Sequence, residues 1–435
     1  MKFYLLHLKL NGIKNISEEI QVDFYNKVIT KFNPELFKVK AIYGENGSGK
    51  TAVVTAVSLA KKIVLNPGYL KQEDNQSFLQ EIINKKNEEF NVEFEFALYD
   101  DKSLFLYKYG FSLAKNNYGN YELSREYLEE INNYTRNKKY VSVYEVANGK
   151  ILSMDVDGAL REEIRETTLN TLSESPLINK LANGKLLDAS TALRAITLMA
   201  FFLSINIYFD EEDMHEMYLT NRVLNTLQKS DKKARSQEMY SAISKQLFYI
   251  DSKGRDVVDK KDFPQYRKKI ERLQEFIRIF KRDLKTIKID KRDNGTTFLC
   301  ELIFDYGEYT VNREFESTGI KKLIRIFDAL VNADEGRISF IDEIDSNVNS
   351  VYLCKIVEYF MNYSKGQLCF TTHNLDVMSE LKRNKCSIDF LSTNNKIVSW
   401  KVTGNAAPDR YYKNGMIDQS PLNVDAFDFI GAFGE

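Results

Sequence analysis

The stretch GENGSGKT at residues 44–51 constrains the fold more than any other part of the sequence. It has the P-loop spacing, in which glycines let consecutive backbone N–H groups point at one anion. The residues before it, 36–43, have the composition of a strand, and apolar residues recur at helical spacing from Val53 to Val64. A helix that begins near Lys50 would direct its positive dipole end at the same anion. The sequence therefore predicts an α/β fold with a phosphate site at this loop.

The P-loop interpretation predicts which groups of a nucleotide the loop would bind. Lys50 would contact the β- and γ-phosphates of a nucleotide, and the Thr51 hydroxyl would bind Mg²⁺. We therefore expect ATP and Mg²⁺ as cofactors. The predicted phosphate-binding residues are Gly44, Glu45, Asn46, Gly47, Ser48, Gly49, Lys50 and Thr51.

A second motif is a short apolar run, 338–341, that ends in Asp342 and Glu343. In a P-loop ATPase the first acid at such a strand end holds Mg²⁺, directly or through water, and the second polarises the attacking water. Two exposed acids in a turn would explain the pattern equally simply on its own. The P-loop earlier in the same chain favours the catalytic interpretation.

Two further stretches could complete a phosphate site. His373 follows the apolar run 367–372, at the strand end where open α/β sheets bind ligands, and its neutral imidazole could hydrogen-bond a γ-phosphate or a water. Ser317, Thr318 and Gly319 precede an apolar helix and offer a hydroxyl, a glycine backbone and a helix N-terminus to an anion. By itself, the second pattern favours a plain N-capped helix.

Composition excludes several classes of protein. The 435 residues are 43% hydrophobic and 28% charged with a net charge of −1, which is typical of a globular protein and not of a general polyanion binder. The four cysteines have no C-x-x-C spacing, so we expect reduced thiols in a cytoplasmic protein. The most apolar stretch, 192–209, contains Arg194 and is short for a membrane span, which predicts a buried helix and no membrane association.

The periodicity of apolar residues predicts three regions. Residues 1–154 would hold the P-loop and an antiparallel β lobe, 155–288 a mainly helical insertion, and 289–435 the second set of motifs in an alternating α/β layer. Within the insertion, a helix that starts at Asp262 carries a short coiled-coil-like seam, which suits a helical hairpin or bundle.

In combination, GENGSGKT, ESTGIKKL, ISFIDEID and FTTHNLD resemble the ABC-type ATPase heads of SMC, RecF and OLD proteins. The stretches EST-G, DEIDSNVNS and the closing DAFDFIGAFGE look more specifically like AAA-family ATP-binding proteins of bacterial phage-defence operons, such as the AbiL and PARIS ATPases. The resemblance covers roughly 1–150 and 290–435, and it implies an ABC-type P-loop ATPase head.

The resemblance also implies roles for residues. Asp342 would bind Mg²⁺, Glu343 would be the catalytic base and His373 the switch histidine. Ser317 and Gly319 would contact the γ-phosphate held by a second subunit, so the protein would be a homodimer or a higher oligomer. Asp345, with Ser346 and Asn347, would form the D-loop at that interface. Thr318 and Asn349 depart from the common pattern, and the glutamine loop has only Gln76 and Gln80 as candidates.

Three functions follow from these motifs. The first is an ATPase whose ATP-dependent dimer closure senses or scaffolds in antiviral defence and controls a separately encoded nuclease or toxin. The second is a RecF- or SMC-like ATPase of DNA repair or chromosome maintenance, and the third is a self-contained nuclease. Nucleic-acid binding stays open, because residues 250–292 carry fifteen Lys and Arg against eight Asp and Glu, which a solvated helix face explains as well.

Overall fold

The structure is a computed structural model, and it describes residues 1–26, 29, 31–156, 158–168, 171–183, 189–209, 256–384, 386–401 and 407–417. The strands in this part of the chain are β1 Lys2–Asn11, β2 Ile20–Asp23, β3 Val39–Tyr43, β4 Glu89–Tyr99, β5 Leu104–Lys115, β6 Tyr121–Ile131, β7 Val141–Ala147, β8 Lys150–Met154, β9 Ile205–Tyr208, β10 Asp256–Asp259, β11 Thr286–Asn294, β12 Thr297–Asp305, β13 Thr310–Asn312, β14 Ile338–Ile341, β15 Gln367–Thr371, β16 Ile388–Leu391 and β17 Ile397–Ser399. The helices are α1 Lys50–Leu65, α2 Glu73–Ile82, α3 Gly158–Thr168, α4 Leu177–Asn183, α5 Ala189–Ser204, α6 Phe263–Phe280, α7 Thr318–Asp334, α8 Ser350–Tyr363, α9 Asp376–Leu381 and α10 Pro408–Lys413.

The central sheet has the strand order β17-β16-β3-β15-β14-β9 among the described residues, and all its pairs except β16–β17 are parallel. Helices cover both faces, which is why β3, β14 and β15 are continuous runs of buried residues. Even Lys40 is buried in β3, because its ammonium lies 2.8 Å from the buried carboxylate of Asp389 on β16. The P-loop, the two acids and His373 therefore follow three strands that are adjacent in one sheet.

The second sheet is antiparallel and runs β2-β1-β4-β5-β6-β7-β8 in the described chain. Its apolar residues alternate, and the inward set packs on α1 and α5, which separate this sheet from the parallel one. The ring of Phe96 on β4 stacks on Phe201 of α5, with centroids 3.8 Å apart and an interplanar angle of 8°. This confirms the predicted antiparallel β lobe.

The opposite face of the parallel sheet packs against α6, α7, α8 and α9 and against a small third sheet, β10-β12-β11 with β13 on the edge of β12. Helix α6 begins after Asp262, as predicted, and its seam residues Tyr266, Ile270, Leu273 and Ile277 are buried. Among the described residues the seam packs on α7 and on the third sheet, and the expected helical hairpin or bundle stays a prediction. Strands β11 and β12 form part of the surface on which the seam packs. The helical periodicity of the seam alone does not show which partner covers it.

Several predicted boundaries change. The strand before the P-loop begins at Val39, because Pro34–Leu36 forms a 3-10 turn. Helix α2 and strand β6 were not predicted. The apolar stretch 192–209 divides into α5 and β9, and a run without polar breaks does not reveal where a helix becomes a strand.

The division into 1–154, 155–288 and 289–435 stays a prediction. However, β9 lies inside the segment predicted as a helical insertion and pairs in parallel with β14, so this part of 155–288 belongs to the central sheet. No helix among the described residues is long and apolar enough to cross a membrane. The closing motif at 425–435 lies outside the described residues.

Candidate nucleotide-binding site

The P-loop connects β3 to α1 through glycines that no other residue could easily replace. Gly47 and Gly49 have φ values of +79° and +106°, the left-handed region that glycine adopts without strain. A Cβ atom on Gly44 would lie 2.4 Å from both the Leu391 carbonyl oxygen and Ser48 Oγ, so there is no room for a side chain. The backbone of the loop can therefore curl around a small anion.

Lys50 lies folded over the loop at the first turn of α1. Its ammonium donates to the carbonyl oxygens of Gly44 (2.9 Å) and Glu45 (3.0 Å), and the side chain is buried. Burial lowers the pKa of Lys50 from its ordinary value, and the nearby carboxylates of Asp342 and Glu343 oppose this shift. Lys50 is therefore close enough to the acids that follow β14 for their charges to affect it.

One buried polar atom of the loop makes no hydrogen bond to the described part of the chain. Ser48 Oγ is buried and has no hydrogen-bond partner among the described residues. Buried hydroxyls are normally hydrogen-bonded, so an unpaired one beside a crowded glycine turn and a buried ammonium fits an anionic ligand. The residues present therefore fit the phosphate groups of a nucleotide.

The two acids after β14 are held by one threonine on β15. The hydroxyl of Thr371 donates to Asp342 Oδ1 (2.6 Å) and accepts from the backbone N–H of Glu343 (2.8 Å). Asp342 is half-buried and Glu343 is exposed. Glu343 also has a φ of +47°, a left-handed conformation that is uncommon for a residue with a side chain.

The described residues contain no group of three or more His, Cys, Asp or Glu side chains that could hold a metal by themselves. A Mg²⁺ ion that arrives with a nucleotide needs only one or two protein ligands, since phosphates and waters supply the others. Asp342, and Thr51 in the first turn of α1, fit that requirement, and their binding of Mg²⁺ stays a prediction.

His373 and Asp345 lie beside these acids. The backbone N–H of His373 donates to Asp345 Oδ2 (3.1 Å), while Asp345 Oδ1 and Ser346 Oγ are buried without a partner among the described residues. Desolvation and the charge of Lys50 lower the pKa of His373, against the opposing effect of Asp345 and Glu343. The imidazole is therefore neutral at pH 7 and can accept or donate a hydrogen bond.

The predicted signature residues lie at the start of α7. Ser317 is the N-cap, with its Oγ accepting from the Ile320 N–H at 3.3 Å, and both Ser317 and Thr318 are exposed. A Cβ on Gly319 would lie 2.9 Å from the Asn347 carbonyl oxygen, so glycine lets α7 approach the D-loop of the same chain. Beside them, the Phe315 side chain is 80% exposed. Contact of Ser317 and Gly319 with a nucleotide stays a prediction.

Two sequence candidates have local roles. Gln76, considered for the glutamine loop, is buried; its amide donates to the carbonyls of Leu70 and Tyr121, and its oxygen accepts from the Tyr121 N–H. It therefore joins α2 to β6 and is not available to a nucleotide. Asn349, a departure from the common motif, is the N-cap of α8 and accepts from the Val351 N–H at 2.9 Å.

Sequence reasoning missed a polar clasp, formed by Asn15 and Asn395, on the P-loop. The Asn15 side-chain amide donates to the Gly47 carbonyl, and the Asn395 amide donates to the Asn15 carbonyl at 3.1 Å. Asn395 Oδ1 also accepts from the Ser17 N–H at 2.8 Å. Only the turn-like stretch Thr-Asn-Asn-Lys at 393–396 hinted at this position.

The basic segment, residues 250–292, forms many ion pairs with acidic side chains in its described part. The basic residues of its described part that lie within ion-pair distance of a carboxylate are Lys260, Lys261, Arg267, Lys269, Arg272, Arg278, Lys281 and Lys288. This local neutralisation favours the solvated-face interpretation. Asp155, which follows β8, forms an ion pair with Arg194 at 3.0 Å.

Comparison with known proteins gives one family match. The family model described as "AAA domain, putative AbiEii toxin, Type IV TA system" matches residues 192–379, which include most of α5, then β9, the signature, the acidic strand end and His373. The chain is similar to AAA-type ATPases. Together with the P-loop geometry, this match supports a P-loop ATPase that contains an AAA domain.

The structural comparison includes the entity titled "Structure of the recombination mediator protein RecF-ATPrS in RecFOR pathway". Its sequence is 12% identical to this one, and the TM-score is 0.38. The alignment covers 92% of this chain and 99% of the chain in that structure. No curated protein matches the sequence.

Proposed function

We propose that this protein is a Mg²⁺-dependent ATPase whose ATP-bound dimer controls a separately encoded nuclease or toxin in antiviral, abortive-infection defence. The observation that carries the ATPase part is that Lys50, which follows β3, and the acids Asp342 and Glu343, which follow β14, lie at the same carboxyl edge of the parallel sheet on either side of β15, where their charges affect one another. Open α/β sheets bind ligands at this edge.

In this proposal each residue at the edge has one task. The loop 44–51 cradles the phosphates of ATP, and Lys50 balances the charge of the β- and γ-phosphates. Thr51 and Asp342 hold Mg²⁺, which supplies charge neutralisation when bound. Glu343 accepts the proton of the attacking water, and the neutral His373 orients that water or the γ-phosphate.

The dimer is proposed because the signature residues face away from their own chain. Ser317 and Thr318 are exposed at the N-terminus of α7, and the hydrogen bonds of Ser317 are local. A second subunit related by a twofold axis would place its signature on the P-loop of the first, giving two equivalent sites. Closure would then depend on the γ-phosphate, so ADP should not hold the dimer together.

The defence role draws on the motif resemblance and on the matching family, whose description reads "putative AbiEii toxin, Type IV TA system". An ATPase that changes its dimeric state with ATP can expose or cover a surface for an effector protein. The paired charges of the basic segment lend no support to the competing DNA-repair role.

The ATPase proposal is tested by measuring ATP binding and Mg²⁺-dependent phosphate release for the wild type and for Lys50→Ala. We expect the variant to lose ATP affinity by about 100-fold or more, because a charge-assisted contact to the phosphates is removed. The matched control is Lys365→Ala, an exposed lysine before the amino end of β15, at the opposite edge of the sheet. Wild-type affinity in Lys50→Ala would remove this residue from the site.

The shared site is tested by mixing two inactive variants, Lys50→Ala and Ser317→Arg. A mixed dimer keeps one intact pair of P-loop and signature, so some ATP turnover should return when subunits exchange. Sedimentation under assay conditions is the companion measurement. ATP turnover by a strictly monomeric wild-type protein would overturn the shared-site model.

The defence role is tested in cells that express the protein with the genes encoded beside it. We expect protection from phage infection that Lys50→Ala abolishes, with unchanged survival after DNA damage. The reverse result, sensitivity to DNA damage without any effect on phage, would favour the DNA-repair alternative. Metal-dependent cleavage of nucleic acid by the purified protein alone would instead favour a self-contained nuclease.

A further inference from the structure

Thr371 is the last residue of β15 and makes two hydrogen bonds that join the catalytic acids. Its side chain is fully buried, and β15 lies between the P-loop strand β3 and the acidic strand β14. The single hydroxyl donates to Asp342 Oδ1 at 2.6 Å and accepts from the Glu343 N–H at 2.8 Å. A hydroxyl is among the few side-chain groups that can donate and accept at once.

The second bond stabilises an uncommon backbone conformation. Glu343 has a φ of +47°, and left-handed backbone is unfavourable for a residue with a Cβ unless the surroundings hold it. Thr371 fixes the N–H of Glu343, and the Ser346 N–H donates to the Glu343 carbonyl at 3.1 Å. The peptide groups on both sides of the strained residue are therefore held.

We propose that Thr371 is a positioning residue that couples metal binding to water activation in this site. By engaging Asp342 Oδ1, it leaves Oδ2 as the carboxylate oxygen for the cation, and by holding the Glu343 N–H it sets the direction of the neighbouring base. This inference rests on the proposed ATPase function for its consequence. The coupling of the three residues is a property of the chain without any ligand.

The competing explanation is that the hydroxyl only satisfies a buried N–H. Ser339 offers a matched control, because it is a buried hydroxyl on the adjacent strand β14 that donates to the Ala329 carbonyl at 2.6 Å. Removing either hydroxyl leaves a buried polar group unpaired, so both variants should lower the melting temperature. Only loss of the Thr371 hydroxyl should alter the behaviour of the acids.

The experiment compares the wild type with Thr371→Val, Thr371→Ser and Ser339→Ala. For Thr371→Val we expect kcat to fall by about 10- to 100-fold and half-maximal turnover to require about 10-fold more Mg²⁺, as for other groups that orient metal ligands. Nucleotide affinity without Mg²⁺ should change less than about 2-fold, because no phosphate contact is lost. Thr371→Ser should restore kcat and Mg²⁺ dependence, and Ser339→Ala should leave both near wild type.

A double-mutant cycle tests the inference without any ATPase activity. The melting temperatures of nucleotide-free Thr371→Val, Asp342→Asn and the double variant should be non-additive, since the two side chains share one hydrogen bond. Should Thr371→Val not fold, Thr371→Ala and Thr371→Ser carry the same comparison. Additive melting temperatures, or unchanged kcat and Mg²⁺ dependence in the hydroxyl-free variant, would refute the positioning role. A wild type without Mg²⁺-dependent hydrolysis would refute the proposed function and leave the nucleotide-free cycle as a valid test of the coupling.

Discussion

The edge of the parallel sheet and the interior of the antiparallel lobe both contain buried polar atoms, but the two regions differ in whether these atoms are hydrogen-bonded. At the sheet edge, Ser48 Oγ, Asp345 Oδ1 and Ser346 Oγ are buried without hydrogen-bond partners among the described residues. In the lobe, the carboxylate of Glu126 accepts from Tyr109, Tyr144 and the Leu177 N–H.

The lobe also balances charge where the sheet edge does not. Glu130, which is 5% exposed, accepts two hydrogen bonds from the guanidinium of Arg194, at 2.6 and 3.1 Å. At the sheet edge, the charges of Asp342, Glu343 and Asp345 affect Lys50, but its ammonium forms no ion pair with any of the three and donates to backbone carbonyl oxygens instead. Buried polar groups in protein interiors are normally paired, so unpaired ones at a sheet edge where α/β folds bind ligands fit a ligand-binding site.

The largest expected effect tests the sheet-edge half of this comparison. Glu343→Gln should keep ATP binding and lower turnover by about 10²- to 10⁴-fold, because glutamine cannot accept the proton of the attacking water. Binding of a fluorescent ATP analogue and phosphate release measure the two properties separately. Turnover at the wild-type rate would exclude Glu343 as the base.

A large effect of another kind is expected in the lobe. Arg194→Met should lower the free energy of unfolding by about 3–5 kcal/mol, because the buried Glu130 carboxylate loses its partner. The exposed pair Lys355–Glu358 is the control, and Lys355→Met should leave the free energy of unfolding near that of the wild type. Chemical denaturation measures both. If Arg194→Met lowered ATP affinity in a fully folded protein, the buried charges of the lobe would not have a purely structural role.

The lobe should also respond to pH through Glu126. Burial raises the pKa of Glu126 from 4.5 to about 7, and the hydrogen bonds from Leu177 and the two tyrosines only partly oppose this. Between pH 4.5 and 7 the folded protein then binds one more proton than the unfolded chain, so stability falls as the pH rises and is level above pH 7. The loss is about 3 kcal/mol across this range.

Glu126→Gln removes the titrating group and keeps an acceptor for the Leu177 N–H. Between pH 5 and pH 8 the free energy of unfolding of the wild type should fall by about 3 kcal/mol more than that of the variant. Denaturation curves at the two pH values give the result. Equal pH dependence in the two proteins would mean that Glu126 titrates near its ordinary value.

The smallest effect concerns exposed charges. Charge reversal at Arg278, Lys281 and Arg282 should change nucleic-acid affinity by less than about 2-fold, because Arg278 and Lys281 already pair with Glu275 and Asp283. Filter binding at two salt concentrations is sufficient. Tight wild-type binding that falls steeply with salt and weakens in the variant would make this segment a nucleic-acid surface.

Sequence patterns revealed the order of the motifs but only part of the site. The P-loop spacing correctly predicted a helix that begins near Lys50 after a strand, and alternation in β4 predicted the antiparallel sheet, because both are local properties of the chain. The roles of Asp342, Glu343 and His373 stay predictions, although the structure brings these residues together. The adjacency of β3, β15 and β14 comes from long-range packing that no local pattern contains.

Other parts could not be predicted for identifiable physical reasons. A buried threonine at the end of an apolar strand reads as an ordinary strand residue, so Thr371 gave no signal. Gln76 looked like a candidate ligand because its partner, Tyr121, is 45 residues away on a strand that was itself not predicted. The strand β9 was hidden in the apolar run that it shares with α5.

The strand order also has a consequence for how the protein is made. Both neighbours of β3 in the sheet, β15 and β16, are encoded near the other end of the chain, about 320 residues later. At about 5–20 residues per second, the ribosome needs roughly 16–65 s to deliver them. During that time the strand Val39–Tyr43, which is buried along its whole length in the folded protein, has been synthesised but cannot pair with either neighbour. The nascent chain should therefore depend on chaperones that shield this strand, and slow translation of the C-terminal third should increase its aggregation.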